Sequence, residues 1–127
     1  MDEKIYHIVT ENDLKKYSSE TGYAPPSLSV DGFIHCTQGK ELSLIVAGDY
    51  FSQVEEPLLI LEINASKCRP EIRFEKAAPE TGGREHLKYQ QIYPHIYGPL
   101  NLDAVERTGN LKKENGRFVW PDFHSAV

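Results

Sequence analysis

Leu58-Leu59-Ile60-Leu61-Glu62-Ile63, bounded by Pro57 and Asn64, is the most continuous apolar run in the chain. It reads as a central strand buried on both faces, and the core is anchored there. Outward toward the N-terminus, Gly32 to Thr37 (GFIHCT) and Ile5 to Thr10 (IYHIVT) are short and rich in β-branched and aromatic residues, the composition of strands. Between them Thr10 is placed to cap a two-turn helix carrying Leu14 and Tyr17, and Gly22, Pro25 and Pro26 mark Ser18 to Ser29 as an irregular surface loop. Thr37 is placed to cap a second helix whose apolar positions are Leu42, Ile45, Val46 and Tyr50. Outward toward the C-terminus, Glu71 to Glu75 (EIRFE) alternates polar and apolar residues, the period of a strand with one wet face. Ala77 to Lys88, with Pro79, Gly82 and Gly83, reads as a mobile connection. Ile92 to Tyr97 (IYPHIY) is strand-like, Pro94 confines it to an edge or a bulge, and Gly98-Pro99 stops it. Ala104 to Trp120 folds back on itself around Glu114-Asn115-Gly116, where Asn-Gly suits a tight hairpin turn. The expected architecture is α+β: a single domain over residues 1–127, with a mixed, largely antiparallel sheet and two N-terminal helices.

The remaining arithmetic excludes several classes of function. One hundred and twenty-seven residues make one domain, which buries roughly 65–70% of the unfolded chain's surface and needs no metal or disulfide to fold. Fourteen Lys and Arg against nineteen Asp and Glu give a net charge of −5, so the chain lacks the cationic footprint that duplex nucleic acid requires. Cys36 and Cys68 show neither a CxxC spacing nor a secretory framework and are expected as free thiols. The N-terminus has no apolar leader core, and no stretch approaches the roughly 18 apolar residues of a membrane span. The expectation is a cytoplasmic protein without a membrane partner.

Chemistry concentrates in the histidines. His35 shares a strand face with Phe33 and Thr37, His95 with Tyr93 and Tyr97, and His7 with the more apolar Ile5 and Val9. Two strands thus present an aromatic, histidine and hydroxyl face, suited to stacking a planar ring and hydrogen-bonding a sugar or phosphate. Strand histidines also serve as ordinary core or edge residues that donate to a carbonyl, and that bland reading stands beside the functional one. His86 and His124 are expected at the solvent surface. Cys36 points away from its neighbour His35 and reads as a small core residue. No metal site is expected: no HxH, HxxxH or HExxH pair occurs, Asp31 lies four residues before His35, and no carboxylate lies within five residues of His95. Thr81-Gly82-Gly83-Arg84 lacks the Walker lysine, and there is no GxSxG elbow.

Tyr6-His7-Ile8, Pro26-Ser27-Leu28, Asp31-Gly32-Phe33-Ile34-His35-Cys36-Thr37, Leu61-Glu62-Ile63 and Pro94-His95-Ile96-Tyr97-Gly98-Pro99-Leu100 follow one another in the order of an uncharacterised bacterial family, domain of unknown function 952. The chain resembles that family over essentially its whole length. The family in turn looks like a compact ADP-ribosyltransferase fold, the one shared with RNA 2′-phosphotransferases. That resemblance implies a small-molecule nucleotide ligand, NAD or an ADP-ribosyl or phosphorylated derivative, with NAD the cofactor to test. It implies His7, His35 and His95 as the positions that meet the ligand; joined to the strand faces above, the expected site has His35 and His95 as catalytic groups and His7, Thr37, Tyr97 and Gly98 as ligand-binding positions. Transferases of that fold acting on NAD usually place a glutamate third, where His95 stands here, and the phosphotransferases use several arginines in blocks this chain does not match. The expected function is therefore nucleotide binding with ribose- or phosphate-directed transferase or hydrolase activity. A binding or sensing module without catalysis, and a structural domain with core histidines, are the alternatives.

Overall fold

Strand β3 (Leu58–Asn64) occupies the middle of the larger sheet, between β1 (Lys4–Thr10) and β6 (Val105–Glu114), as the double-sided apolar run requires. The coordinates are a computed structural model that describes residues 3–76 and 92–126. In β3 the register sets Ile60 opposite Ile8 and Gly109, and Glu62 opposite Tyr6 and Arg107. β6 turns through Asn115 and Gly116, at φ 53° and 78°, into β7 (Arg117–Val119), so Asn-Gly supplies the left-handed backbone of a tight hairpin. β8 (Phe123–Ser125) also pairs with β6. A second, three-stranded sheet has β5 (Ile92–Tyr97) between β2 (Ile34–His35) and β4 (Glu71–Lys76).

Alternation along the strands divides the apolar residues between two cores. Ile5, Val9, Leu61 and Ile63 of the larger sheet meet Ile34, Cys36 and Ile96 of the smaller one, with Tyr23 and Leu100 completing the layer. The opposite face of the larger sheet buries Ile8, Leu58, Ile60 and Leu111 against Ala47 on α3 (Lys40–Tyr50), with Leu44 of that helix and Phe51 just after it packed alongside. Each fully buried aliphatic side chain contributes about 1.5–3 kcal/mol by leaving water. Glu62 lies on this second face, and its burial is compensated: Arg107 donates Nε at 2.8 Å and Nη2 at 2.7 Å, and Tyr6 Oη donates at 3.0 Å. The guanidinium holds the Glu62 carboxyl below the usual range.

Several expectations need correction. The architecture is α+β and antiparallel, but the strands form two sheets, and every recorded pairing between described strands is antiparallel rather than mixed. In place of two N-terminal helices there are three, two of them single turns. α1 (Glu11–Leu14) does begin at Thr10, whose Oγ1 accepts from Asp13 N at 3.1 Å, but it ends after one turn, where the Lys16 and Tyr17 N–H groups reach back only three residues, to Asp13 O and Leu14 O at 3.2 Å. α2 (Pro26–Val30) begins inside the stretch expected to be a loop and runs one residue past it, because Pro26 falls at the first helical position, where its missing N–H and fixed φ cost nothing. α3 is capped by the Gly39 backbone rather than by Thr37, and its buried positions are Ser43 and Ala47 while Ile45 and Tyr50 are exposed. Ser43 is buried because its hydroxyl bonds Gly39 O at 2.7 Å and Thr37 Oγ1 at 2.6 Å. β5 is central, not an edge. The Pro94 carbonyl accepts from Cys36 N on the β2 side, and in an antiparallel strand the missing N–H faces that side too, where β2 has ended. Residues 77–88, expected as a mobile connection, Thr81-Gly82-Gly83-Arg84 and His86 lie outside the described residues. Among those described, no helix is long and apolar enough to cross a membrane.

Candidate functional site

The smaller sheet has two unlike faces. Ile34, Ile72 and Ile96 turn inward to the first core, and alternation then turns His35, Arg73, Glu75, His95 and Tyr97 outward together. His35 pairs with His95 across β2 and β5, and their ring centroids are 5.8 Å apart. Phe33, just before β2, lies over both: its ring stacks on His95 at 3.9 Å and 19°, and stands 4.7 Å from His35 and 5.4 Å from Tyr97.

Each imidazole is held by a carboxylate. His35, exposed, offers Nε2 to Asp31 Oδ2 at 2.8 Å, and the four-residue spacing spans the link between α2 and β2. His95, only 3% exposed, places Nδ1 2.8 Å from Glu75 Oε1, and the same oxygen accepts from Tyr97 Oη at 2.5 Å. Glu75 is opposite Tyr93 in the β4–β5 register, so its long side chain reaches diagonally along β5. These two hydrogen bonds, the Tyr97 one first, hold the Glu75 carboxyl below the usual carboxylate range. Burial pushes His95 below the usual histidine value, opposed by Glu75, so its ring is neutral at pH 7. The Arg73 guanidinium lies 4.3 Å from the Tyr97 ring centroid and is paired with Glu71, Nε to Oε2 at 3.1 Å. The assembly can move protons through imidazoles, stack a planar group on Phe33 or Tyr97, and meet an anion with Arg73.

His7 is used differently. It lies on the core-facing side of β1, half-buried, with Nδ1 2.6 Å from the His35 carbonyl and Nε2 2.6 Å from Tyr23 Oη. A carbonyl can only accept, so Nδ1 carries the proton and Nε2 accepts from the tyrosine. Both ring nitrogens are thereby committed, and burial lowers the His7 pKa to about 4. His7 ties β1 to the backbone that carries His35, one step behind the pair.

The other expected positions are more distant from the imidazoles in role. Thr37 is buried, its N–H and carbonyl bridge Tyr6, and its hydroxyl goes to Ser43. Gly98 has φ 156°, and a Cβ there would come within 2.9 Å of Pro70 Cβ, so the residue permits a close approach of two chain segments behind Tyr97. Cys36 is buried in the first core and its thiol is pushed up by burial. His124 is exposed. Among the described residues, no three His, Cys, Asp or Glu converge to hold a metal ion. A shallow open depression of about 410 Å³ lies elsewhere, between α3 and the β6–β7 hairpin, and the histidines occupy a sheet face rather than that hollow. Glu75 escaped sequence reasoning because it is distant in the chain from His95. The available signal was the alternation of EIRFE, which puts Glu71, Arg73 and Glu75 on one face.

Residues 8–108 match the profile of the family described as Protein of unknown function (DUF952), and the chain belongs to that family. Among solved structures, the crystal structure of protein CC0527 from Caulobacter crescentus is 24% identical over 91% of this chain and 93% of that one, with a TM-score of 0.67. The crystal structure of a double mutant of the same protein gives the same values. The likeness establishes a shared fold. No curated protein matches the chain.

Proposed function

We propose that the outward face of the smaller sheet binds a nucleotide, NAD or an ADP-ribosyl or phosphorylated derivative, and that His35 and His95 act on its ribose or phosphate by transfer or hydrolysis. The observation that carries this reading is the pair of carboxylate-held imidazoles, 5.8 Å apart beside the Phe33 ring. Two such rings can divide the proton work of a substitution, one taking a proton from the attacking hydroxyl or water and the other giving one to the departing oxygen. Phe33 and Tyr97 would stack a base or nicotinamide ring, and Arg73 would meet a phosphate. The ADP-ribosyltransferase-like character belongs to this proposal. Glu75 supports it by supplying a carboxylate beside His95, where the order of residues in the chain offered none.

A second reading, a binding module without catalysis, is supported by the way Glu75, His95 and Tyr97 already satisfy one another. His95→Ala separates the two: a catalyst loses turnover with modest loss of affinity, whereas a binder loses affinity alone. The direct test is thermal unfolding of the wild type and His35→Ala with NAD, ADP-ribose, nicotinamide and 2′-phosphorylated nucleotides. A ligand at 100 times its Kd stabilises by about 2.7 kcal/mol, which raises Tm by about 10 °C in a domain of this size. The expected outcome is that rise in the wild type and its loss in His35→Ala; equal melting curves with every ligand would remove the nucleotide.

A further inference from the structure

Glu75 Oε1 receives two hydrogen bonds at once, from Tyr97 Oη at 2.5 Å and with His95 Nδ1 at 2.8 Å. An ionised carboxylate has no proton to give, so the His95 proton must sit on Nδ1 and the lone pair on Nε2. Among the described residues the ring makes its hydrogen bond through Nδ1. The ring is also prevented from turning over to exchange its nitrogens, because Phe33 is stacked on it at 3.9 Å and the side chain is only 4% exposed. The three strand histidines therefore divide. His7 has both nitrogens committed, His35 gives Nε2 to Asp31 and keeps Nδ1, and His95 gives Nδ1 to Glu75 and keeps Nε2.

We propose that Glu75 is a positioning residue, which fixes His95 in the Nδ1–H tautomer so that Nε2 is the proton-accepting atom of the site, with Tyr97 holding the carboxylate in place. The role deepens the function proposed above and rests on it only for what Nε2 acts upon. Tyr97 is not itself a proton source: its hydroxyl is the donor to Glu75, and that bond raises the phenol pKa. Burial of His95 keeps the ring neutral, which leaves the Nε2 lone pair available at pH 7.

The tautomer is read directly from the imidazole nitrogens of ¹⁵N-labelled, ligand-free protein by long-range proton–nitrogen correlation at pH 7.5. The wild type is expected to show His95 with a protonated Nδ1 and a far-downfield, lone-pair Nε2. Glu75→Ala should move the proton toward Nε2, the tautomer that an unconstrained histidine side chain prefers, whereas Glu75→Gln, which keeps an acceptor oxygen, and Tyr97→Phe should retain it on Nδ1. A wild-type His95 protonated on Nε2, or a Glu75→Ala spectrum like that of the wild type, would overturn the proposal. The wild-type spectrum decides by itself should Glu75→Ala not fold. Because no ligand is present, a nucleotide titration that gives no response would end the nucleotide reading while leaving the Glu75 assignment intact.

Discussion

His7 ties two strands through a neutral ring, and the stability this contributes depends on pH. Its pKa falls from about 6.5 in the unfolded chain to about 4 in the folded one, so on acidification the unfolded state takes the proton first. The contribution is whole above pH 6.5, declines as pH falls to 4, and is flat below that. At 1.36 kcal/mol per unit the loss is at most about 3 kcal/mol. His7→Gln, whose amide can still bridge the His35 carbonyl and Tyr23 Oη, should show a shallower decline between pH 6.5 and 4 in urea unfolding; a slope equal to the wild type would contradict the assignment. His95 shifts in the same direction and leaves a residual slope in both proteins. At this scale the chain was partly legible. Alternation placed His35 and His95 opposite the aliphatic residues of their strands, but Glu75 and Tyr23 are partners across space, and nothing local fixes the register between strands separated by residues 77–91.

Strands and turns were legible where their own chemistry decided them. The Asn115-Gly116 hairpin and the LLILEI strand follow from local rules, whereas Pro26 and Pro94 were read as breakers and act as a helix start and a tolerated centre-strand residue. Each exception turns on where a missing N–H points, which depends on the neighbouring element. The face of α3 was misjudged for a similar reason, since Ser43 is buried through partners at Thr37 and Gly39 that no helical periodicity reveals. Gly109 in β6 is a sharper case of dependence between elements: a Cβ there would stand 2.6 Å from Pro121 Cγ and 3.2 Å from Asp122 O, just before β8 pairs with β6. Gly109→Ala should destabilise by about 1–3 kcal/mol, the scale of overpacking. Gly48→Ala, on the open side of α3 with nothing within 4 Å, should instead stabilise by about 0.5–1 kcal/mol. Chemical denaturation of the two variants checks both signs, and the reverse order would contradict the packing of β6 against the Pro121 segment.

For the molecule as a whole, one apolar layer joins two antiparallel sheets, and the smaller sheet turns its polar face outward. That division sets an exposed imidazole, His35, beside a buried one, His95, on a rigid support: Ile34 and Ile96 fix β2 and β5 from behind, while the two rings stand in front with Asp31, Glu75 and Phe33 around them. The α+β class and the existence of a histidine-bearing face could be read from the chain, but its split into two sheets could not, because sheet membership is settled by long-range pairing. The central claim is that His35 and His95 are one ligand site and His7 is its support. The most direct measurement follows the imidazole C–H resonances of all three histidines while ADP-ribose, then NAD, is titrated into the protein. The account predicts that His35 and His95 shift together along one binding curve while His7 moves little. Shifts confined to His7, or separate curves for His35 and His95, would contradict it.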